Sequence, residues 1–484
     1  MKNLLFKSCL MATMALAAVS CDDDVSLGSV DTGKLDVPTG NVVYITSADG
    51  QRLFSSIDFA NTATSELVVH SPKNNTECTV TFSYDAEALT NYNSANETDF
   101  PALPESVVSF ANGGVASISA GATEASVDFT LTSPGNLDPN TTYALPIRAT
   151  ISGNAQLGEL DATHIIFVRD ITGLPTATKY ITNSDGQLVE GIKMFNCIEV
   201  NGTNPLNTMV FTLQGSGKPL FDAVILFSSN INYDATTKKV YVYNNENVQA
   251  VLDNYDKYLK PLKERGIKVI LSILGNHDRA GVANLSDANA KIFAQEVKAM
   301  CDEYNLDGVM LDDEYSDYSQ VWPGFVSPGV KPLSRLYYEL KKAMPDRWMV
   351  TYAYGSAIRM ESVTDLETGV TATPSDFIDF AFANYPDTPQ SNPISSRYGG
   401  LDKKRIGYCS MEFAQGQLWS QGNDLKTIQI DGGYGCQLIF ACGPDNTNLD
   451  TAKGMLRVDA LKRCAKTYYN ADLVWDGTSY AKDW

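Results

Sequence analysis

The chain has 484 residues, 44% of them hydrophobic and 10% aromatic, with a formal net charge of −20. That length asks for two or three domains, and that composition excludes a largely disordered chain. The acidic balance excludes nucleic acid and an anionic membrane surface as partners, since both need basic patches. Nine cysteines without a CxxC pair, and three histidines (His70, His164, His277), supply no disulfide framework or zinc site. No metal and no cofactor are expected.

Residues 1–20 form a secretory signal: Lys2 and Lys7 precede an apolar run from Cys9 to Val19, too short to span a membrane. Its end, Ala18-Val19-Ser20-Cys21, resembles a bacterial lipobox, with Ala18 where Leu is commoner. The resemblance implies cleavage before Cys21 and lipidation of that residue. Asp22-Asp23-Asp24 then resembles the surface-export signal of some Gram-negative lipoproteins. A monomer, lipid-anchored in the outer membrane at the cell surface, is the expectation. Residues 21–38, rich in Ser, Gly, Asp and Thr, cannot bury a core and serve as a flexible tether.

From residue 39 to 170 short alternating runs predict an all-β sandwich. The clearest are Val42–Ile45, Leu67–His70, Thr79–Tyr84, Ser126–Leu131 and Ile165–Val168, separated by Gly, Asn, Pro and Ser. Tyr143–Ala149 and its setting resemble the immunoglobulin-like domains that precede catalytic or glycan-binding modules in surface lipoproteins. No catalytic set assembles here. Residues 171–190, with Gly173, Pro175 and Gly186, are expected to link this domain to the next.

Over 191–484 the period changes to strands alternating with helices, which predicts a parallel sheet. Expected strands are Cys197–Val200, Ala223–Phe227, Lys268–Leu274, Gly308–Asp312, Trp348–Ala353, Phe377–Ala383, Arg405–Met411 and Cys436–Phe440. Val248, Val251, Leu252, Tyr255, Leu259 and Leu262 mark one amphipathic helix over 243–266, and Ile292, Phe293, Val297 and Met300 another over 285–304. Eight strands at this spacing suit a (β/α)8 TIM barrel. A doubly wound sheet would carry a Gly-rich phosphate turn, which Leu274-Gly275-Asn276-His277 is not.

The fourth strand leads into Asp312-Asp313-Glu314. Alternation puts Met310, Asp312 and Glu314 on one side, the two carboxylates roughly 7 Å apart along the chain. Asp307-Gly308 followed by Asp312 and Glu314 resembles the acidic strand-four motif of glycoside hydrolase family 18. The likeness is closer to the endo-β-N-acetylglucosaminidases of the endoglycosidase H group. It includes Phe221-Asp222-Ala223-Val224, Ile231-Asn232-Tyr233-Asp234, Asn245-Glu246-Asn247-Val248-Gln249, Leu274-Gly275-Asn276-His277 and Asp312-Asp313-Glu314-Tyr315, and thins after Tyr352.

The resemblance implies hydrolysis of the β1,4 bond in the chitobiose core of asparagine-linked glycans on glycoproteins, high-mannose chains favoured. It implies substrate-assisted catalysis through an oxazolinium. Glu314 would be general acid then base, its proton retained with help from nearby Asp312; Asp312 would hold the acetamido N–H. Tyr385 would donate to the acetamido carbonyl, and Asn276, His277, Asn245 and Glu412 would contact substrate. Met310 departs from the family, which usually has a third Asp there. Two other readings stand beside this one: a non-catalytic surface glycan-binding protein on the same barrel, and a chitinase, although aromatic platforms for a chitin groove are not evident.

Overall fold

The computed structural model describes residues 41–72, 77–384, 396–408, 410–414, 425–443 and 452–484. The signal, Cys21, the tether to residue 38 and Tyr385 lie outside the described residues.

Two five-stranded sheets build the front of the chain. One runs in spatial order Val108–Phe110, Glu124–Thr132, Thr62–His70, Val42–Ser47, Gln156–Leu157. The other runs Ser55–Phe59, Thr163–Asp170, Tyr143–Gly153, Cys78–Tyr84, Val115–Ile118. Alternation gives them a shared core: Val127, Phe129 and Leu131 turn inward while Asp128 is exposed. They meet Leu67, Val69, Val80, Phe82, Leu145 and Ile147. The sequence pattern does not anticipate the helix Ala86–Asn96, because only Ala88 and Leu89 of it are buried and no apolar stripe forms. Residues 171–190 are mostly exposed but carry some structure. Ala177 is buried, and Tyr180–Thr182 pairs antiparallel with Leu188–Glu190.

Parallel strands follow at Lys193–Glu199, Ala223–Asp234, Lys268–Leu274, Gly308–Asp312, Trp348–Ala353, Phe380–Ala383, Ile406–Gly407 with Met411–Glu412, and Cys436–Phe440. In the sheet they stand in chain order from the first to the sixth, with Cys436–Phe440 on the other side of the first. Ile406–Gly407 pairs with the sixth strand and Met411–Glu412 with Cys436–Phe440, so both ends of the order belong to one stretch of chain. The second strand overruns its expected end and turns back through Lys239–Tyr243 as a hairpin. Phe377 belongs to a short capped helix, Pro374–Phe377, and not to the sixth strand.

The expected helix over 243–266 is three short ones, Glu246–Asp253, Tyr255–Tyr258 and Lys260–Lys263. Asn254 leaves helical geometry and Pro261 lacks a donor, so the apolar spacing continues while the hydrogen-bond ladder breaks. Helix Asp287–Glu303 buries Ala290, Phe293, Ala294, Val297 and Cys301. Ile292, expected inward, is 55% exposed. It lies one residue, about 100°, off that stripe.

The N-terminal ends of the second, fourth and sixth strands share one device. Asp222, Asp307 and Asp379 each precede such a strand, and each accepts a backbone N–H from the neighbouring odd strand: Met194 at 2.8 Å, Val269 at 2.8 Å and Met349 at 2.7 Å. Each also takes a lysine: Lys179 at 2.5 Å, Lys263 at 3.0 Å and Lys341 at 2.8 Å. A backbone donor that would be orphaned where the strand begins is satisfied, and the carboxylate that does it is compensated. Asp307, although part of the acidic motif, is therefore a strand-end clamp.

The front domain docks against these same ends. Asp58 bonds Lys268 at 2.8 Å, Thr142 bonds Asp346 at 2.8 Å, and Asp376 accepts from the N–H groups of Arg52 and Leu53 at 2.7 and 3.2 Å. Phe54 packs with Tyr338 between them.

Candidate active site

The opposite, C-terminal ends of the strands carry the carboxylates. On the fourth strand Gly308, Met310 and Asp312 share the face that packs with Phe195, Ile270, Val350 and Phe382. Tyr337 fixes the strand from behind: its hydroxyl donates to the Val350 carbonyl at 2.8 Å and accepts from Leu311 N–H at 3.2 Å. Asp312 is 4% exposed, and its Oδ1 has no hydrogen-bond partner among the described residues. Burial first, then the Glu314 and Asp313 carboxylates, push its pKa up to about 8. Glu314 is half-buried, and burial followed by Asp313 raises it too. Burial and the neighbouring carboxylates thus favour the protonated form of both groups.

Met310 is 2% exposed and apolar, so nothing at that position shares the proton of Asp312. Asp313 turns away, accepting from the Tyr318 hydroxyl and from Ser356 N–H, both at 2.7 Å. It ties the loop after the fourth strand to the loop after the fifth.

A short backbone ladder holds Glu314. Gly275 N–H donates to Glu314 O at 3.0 Å, His277 N–H to Tyr315 O at 2.5 Å, and Asp317 N–H to Asp278 O at 2.7 Å. Gly275 permits it, since a Cβ there would lie 2.3 Å from Glu314 O. Asn276 and His277 are exposed beside this ladder, and Asn276 donates to Asn232 of the second-strand hairpin at 3.0 Å. Arg279 lies over Trp322, 4.4 Å from the ring centroid, and Tyr233, at 5.4 Å, so this wall is built without a ligand.

Asn245 has a structural role besides the expected substrate contact. Its side-chain oxygen accepts from Asn247 and Val248 N–H and caps helix Glu246–Asp253. Glu412 is 1% exposed and accepts from Ala414 N–H at 2.8 Å, a buried carboxylate beside Arg457. Tyr352, on the fifth strand, donates to Asn384 at the end of the sixth. Neither that pair nor Tyr315 and Tyr354, 57% and 41% exposed on the same rim, was singled out as a site from the sequence.

A half-buried acid and a buried, unpartnered one on adjacent alternate positions can protonate a leaving oxygen and receive an N–H donor. The chain is similar to known proteins over most of its length. A family model described as a “-like, N-terminal domain” matches residues 39–156. Endo-beta-N-acetylglucosaminidase F1 of Elizabethkingia meningoseptica is 48% identical over 300 residues, 62% of this chain and 84% of that protein. Endo-beta-N-acetylglucosaminidase of Flavobacterium sp. (strain SK1022) is 37% identical over 244 residues, 50% of this chain and 73% of that one. The crystal structure of Bacteroides thetaiotamicron EndoBT-3987 with Man5GlcNAc product aligns with a TM-score of 0.78 at 33% identity, covering 91% of this chain and 97% of that one. The same protein with Man9GlcNAc2Asn substrate aligns at 0.72 and 31% identity, with the same coverage.

Proposed function

Since the chain belongs to the endo-β-N-acetylglucosaminidases of glycoside hydrolase family 18, we propose that Glu314 and Asp312 carry its hydrolysis of the chitobiose core of asparagine-linked glycans. High-mannose chains are its substrates. The observation that carries the residue assignment is the contrast between two neighbouring carboxyls. Asp312 is buried with its Oδ1 unpartnered among the described residues, and Glu314 is half-exposed above it.

In the free site burial and the neighbouring carboxylates favour keeping a proton on the pair. An acetamido N–H arriving at Oδ1 stabilises the Asp312 carboxylate, and the proton then belongs on Glu314. Glu314 gives it to the glycosidic oxygen while the acetamido oxygen attacks the anomeric carbon, forming the oxazolinium. Glu314, now a base, takes a proton from the water that opens that ring, and the site returns to its starting charge. Tyr385 is assigned to the acetamido carbonyl by resemblance, and Asn276 and His277 to the glycan by their exposed position. Glu314→Gln should abolish release of all but one core sugar from a high-mannose glycoprotein, read by intact mass, while the circular dichroism spectrum is retained. Unchanged release would sink the assignment.

We infer further that the parallel sheet closes as a (β/α)8 barrel. In support, its first and last positions are filled by pieces of one segment, 406–412. Cys21 lipidation and display at the outer-membrane surface complete the proposal, supported by the lipobox-like sequence alone. Cys21→Ser should move the protein from the membrane to the soluble fraction.

A further inference from the structure

Two bulky residues at the rim adopt left-handed backbone, His277 with φ 52° and Tyr315 with φ 56°. Such conformations are costly for side chains of this size and persist where the surroundings enforce them. Here the enforcement is mutual. His277 N–H donates to Tyr315 O, and the two rings meet edge to face with centroids 5.6 Å apart. The result is a Tyr315 ring that stands out, 57% exposed, one residue beyond Glu314.

We propose that this ring, braced by His277, is the platform for the leaving-group N-acetylglucosamine, whose apolar C–H face stacks on it. The inference rests on the reading of Glu314 as the acid. Outward along the chain from Asp312, exposure rises through Glu314 to Tyr315. Asp312 takes the acetamide of the sugar that stays, and Glu314 takes the oxygen shared by both sugars. The next group outward faces the sugar that leaves. That sugar carries a whole protein on its asparagine and has to lie at the exposed edge. An aromatic face with a polar tip suits a pyranose that is half wet.

The test compares two high-mannose donors. One carries the intact chitobiose on a glycopeptide; the other is the same glycan ending in a single N-acetylglucosamine oxazoline, whose hydrolysis involves no leaving sugar. Tyr315→Asn removes the ring and keeps a residue that tolerates left-handed backbone. It should lower kcat/KM on the glycopeptide by roughly tenfold to thirtyfold and leave oxazoline hydrolysis within about twofold. Tyr315→Phe, which keeps the ring, should recover the native glycopeptide rate. Equal loss on both donors, or no loss on the glycopeptide, overturns the platform. Glu314→Gln separates the two readings. As acid and then base it should damage both donors, so oxazoline hydrolysis that survives Glu314→Gln would indict the acid–base assignment and not Tyr315.

Discussion

Replacing Asp312 with Asn should make the protein more stable while silencing it. The native carboxyl is buried and, among the described residues, unpartnered at Oδ1, and its pKa is raised from 3.8 to about 8. A folded pKa above the unfolded one means that the folded state keeps a proton which the unfolded chain releases. Stability is therefore full below about pH 4 and is lost progressively as pH rises to about 8. At pH 7 the gap from 3.8 amounts to about 4 kcal/mol, at about 1.4 kcal/mol per unit. Asn has nearly the same shape and does not titrate. The difference in melting temperature between Asp312→Asn and the native protein should start near zero at pH 4 and widen up to about pH 8, in favour of the variant. Activity on a high-mannose glycopeptide should fall at every pH. A difference that stays constant over that range, or a variant less stable than native at pH 7, would refute the account of Asp312 as a carboxyl held neutral by burial.

Asp307→Ala should cost about 3–5 kcal/mol, because it orphans Val269 N–H and leaves Lys263 uncompensated. The kcat/KM of the protein that folds should stay native, measured per active molecule. Gly275→Ala places a Cβ 2.3 Å from Glu314 O, and should lower kcat by at least about a hundredfold by displacing the acid. His164 is buried beside Ser55 Oγ at 3.0 Å, and burial lowers its pKa from 6.5 to about 4. Its folded state refuses a proton that the unfolded chain accepts, so stability present above pH 6.5 is lost as pH falls to about 4, by roughly 3 kcal/mol. His164→Gln should flatten that acid limb of the melting curve.

The strands were legible where apolar alternation or a buried apolar run was continuous. Lys268–Leu274, Gly308–Asp312, Trp348–Ala353 and Cys436–Phe440 stand where the pattern put them. The carboxylate pair was legible because its spacing is local to one strand. What the pattern concealed depends on distant partners. Asp222 and Asp379 look like ordinary loop acids until the neighbouring strand supplies Met194 and Met349 N–H. The left-handed geometry of Tyr315 comes from a bond to His277 in another loop, which no window of sequence contains. Asn245 is the opposite case. Its position just before a helical run is an N-cap signature, which a short window of sequence contains in full.

The docking of the front domain sets the clearance around the reaction. Of the residues to which it bonds, Lys268 begins a strand and Asp346 and Asp376 precede strands, whereas Glu314 follows one. A client glycoprotein therefore approaches along the sheet's far end, with the sandwich at its back. The bulk of the client does not compete with the bulk of the enzyme's own first domain. Discrimination between clients is left to the rim, and to how far each glycan stands off the surface that bears it.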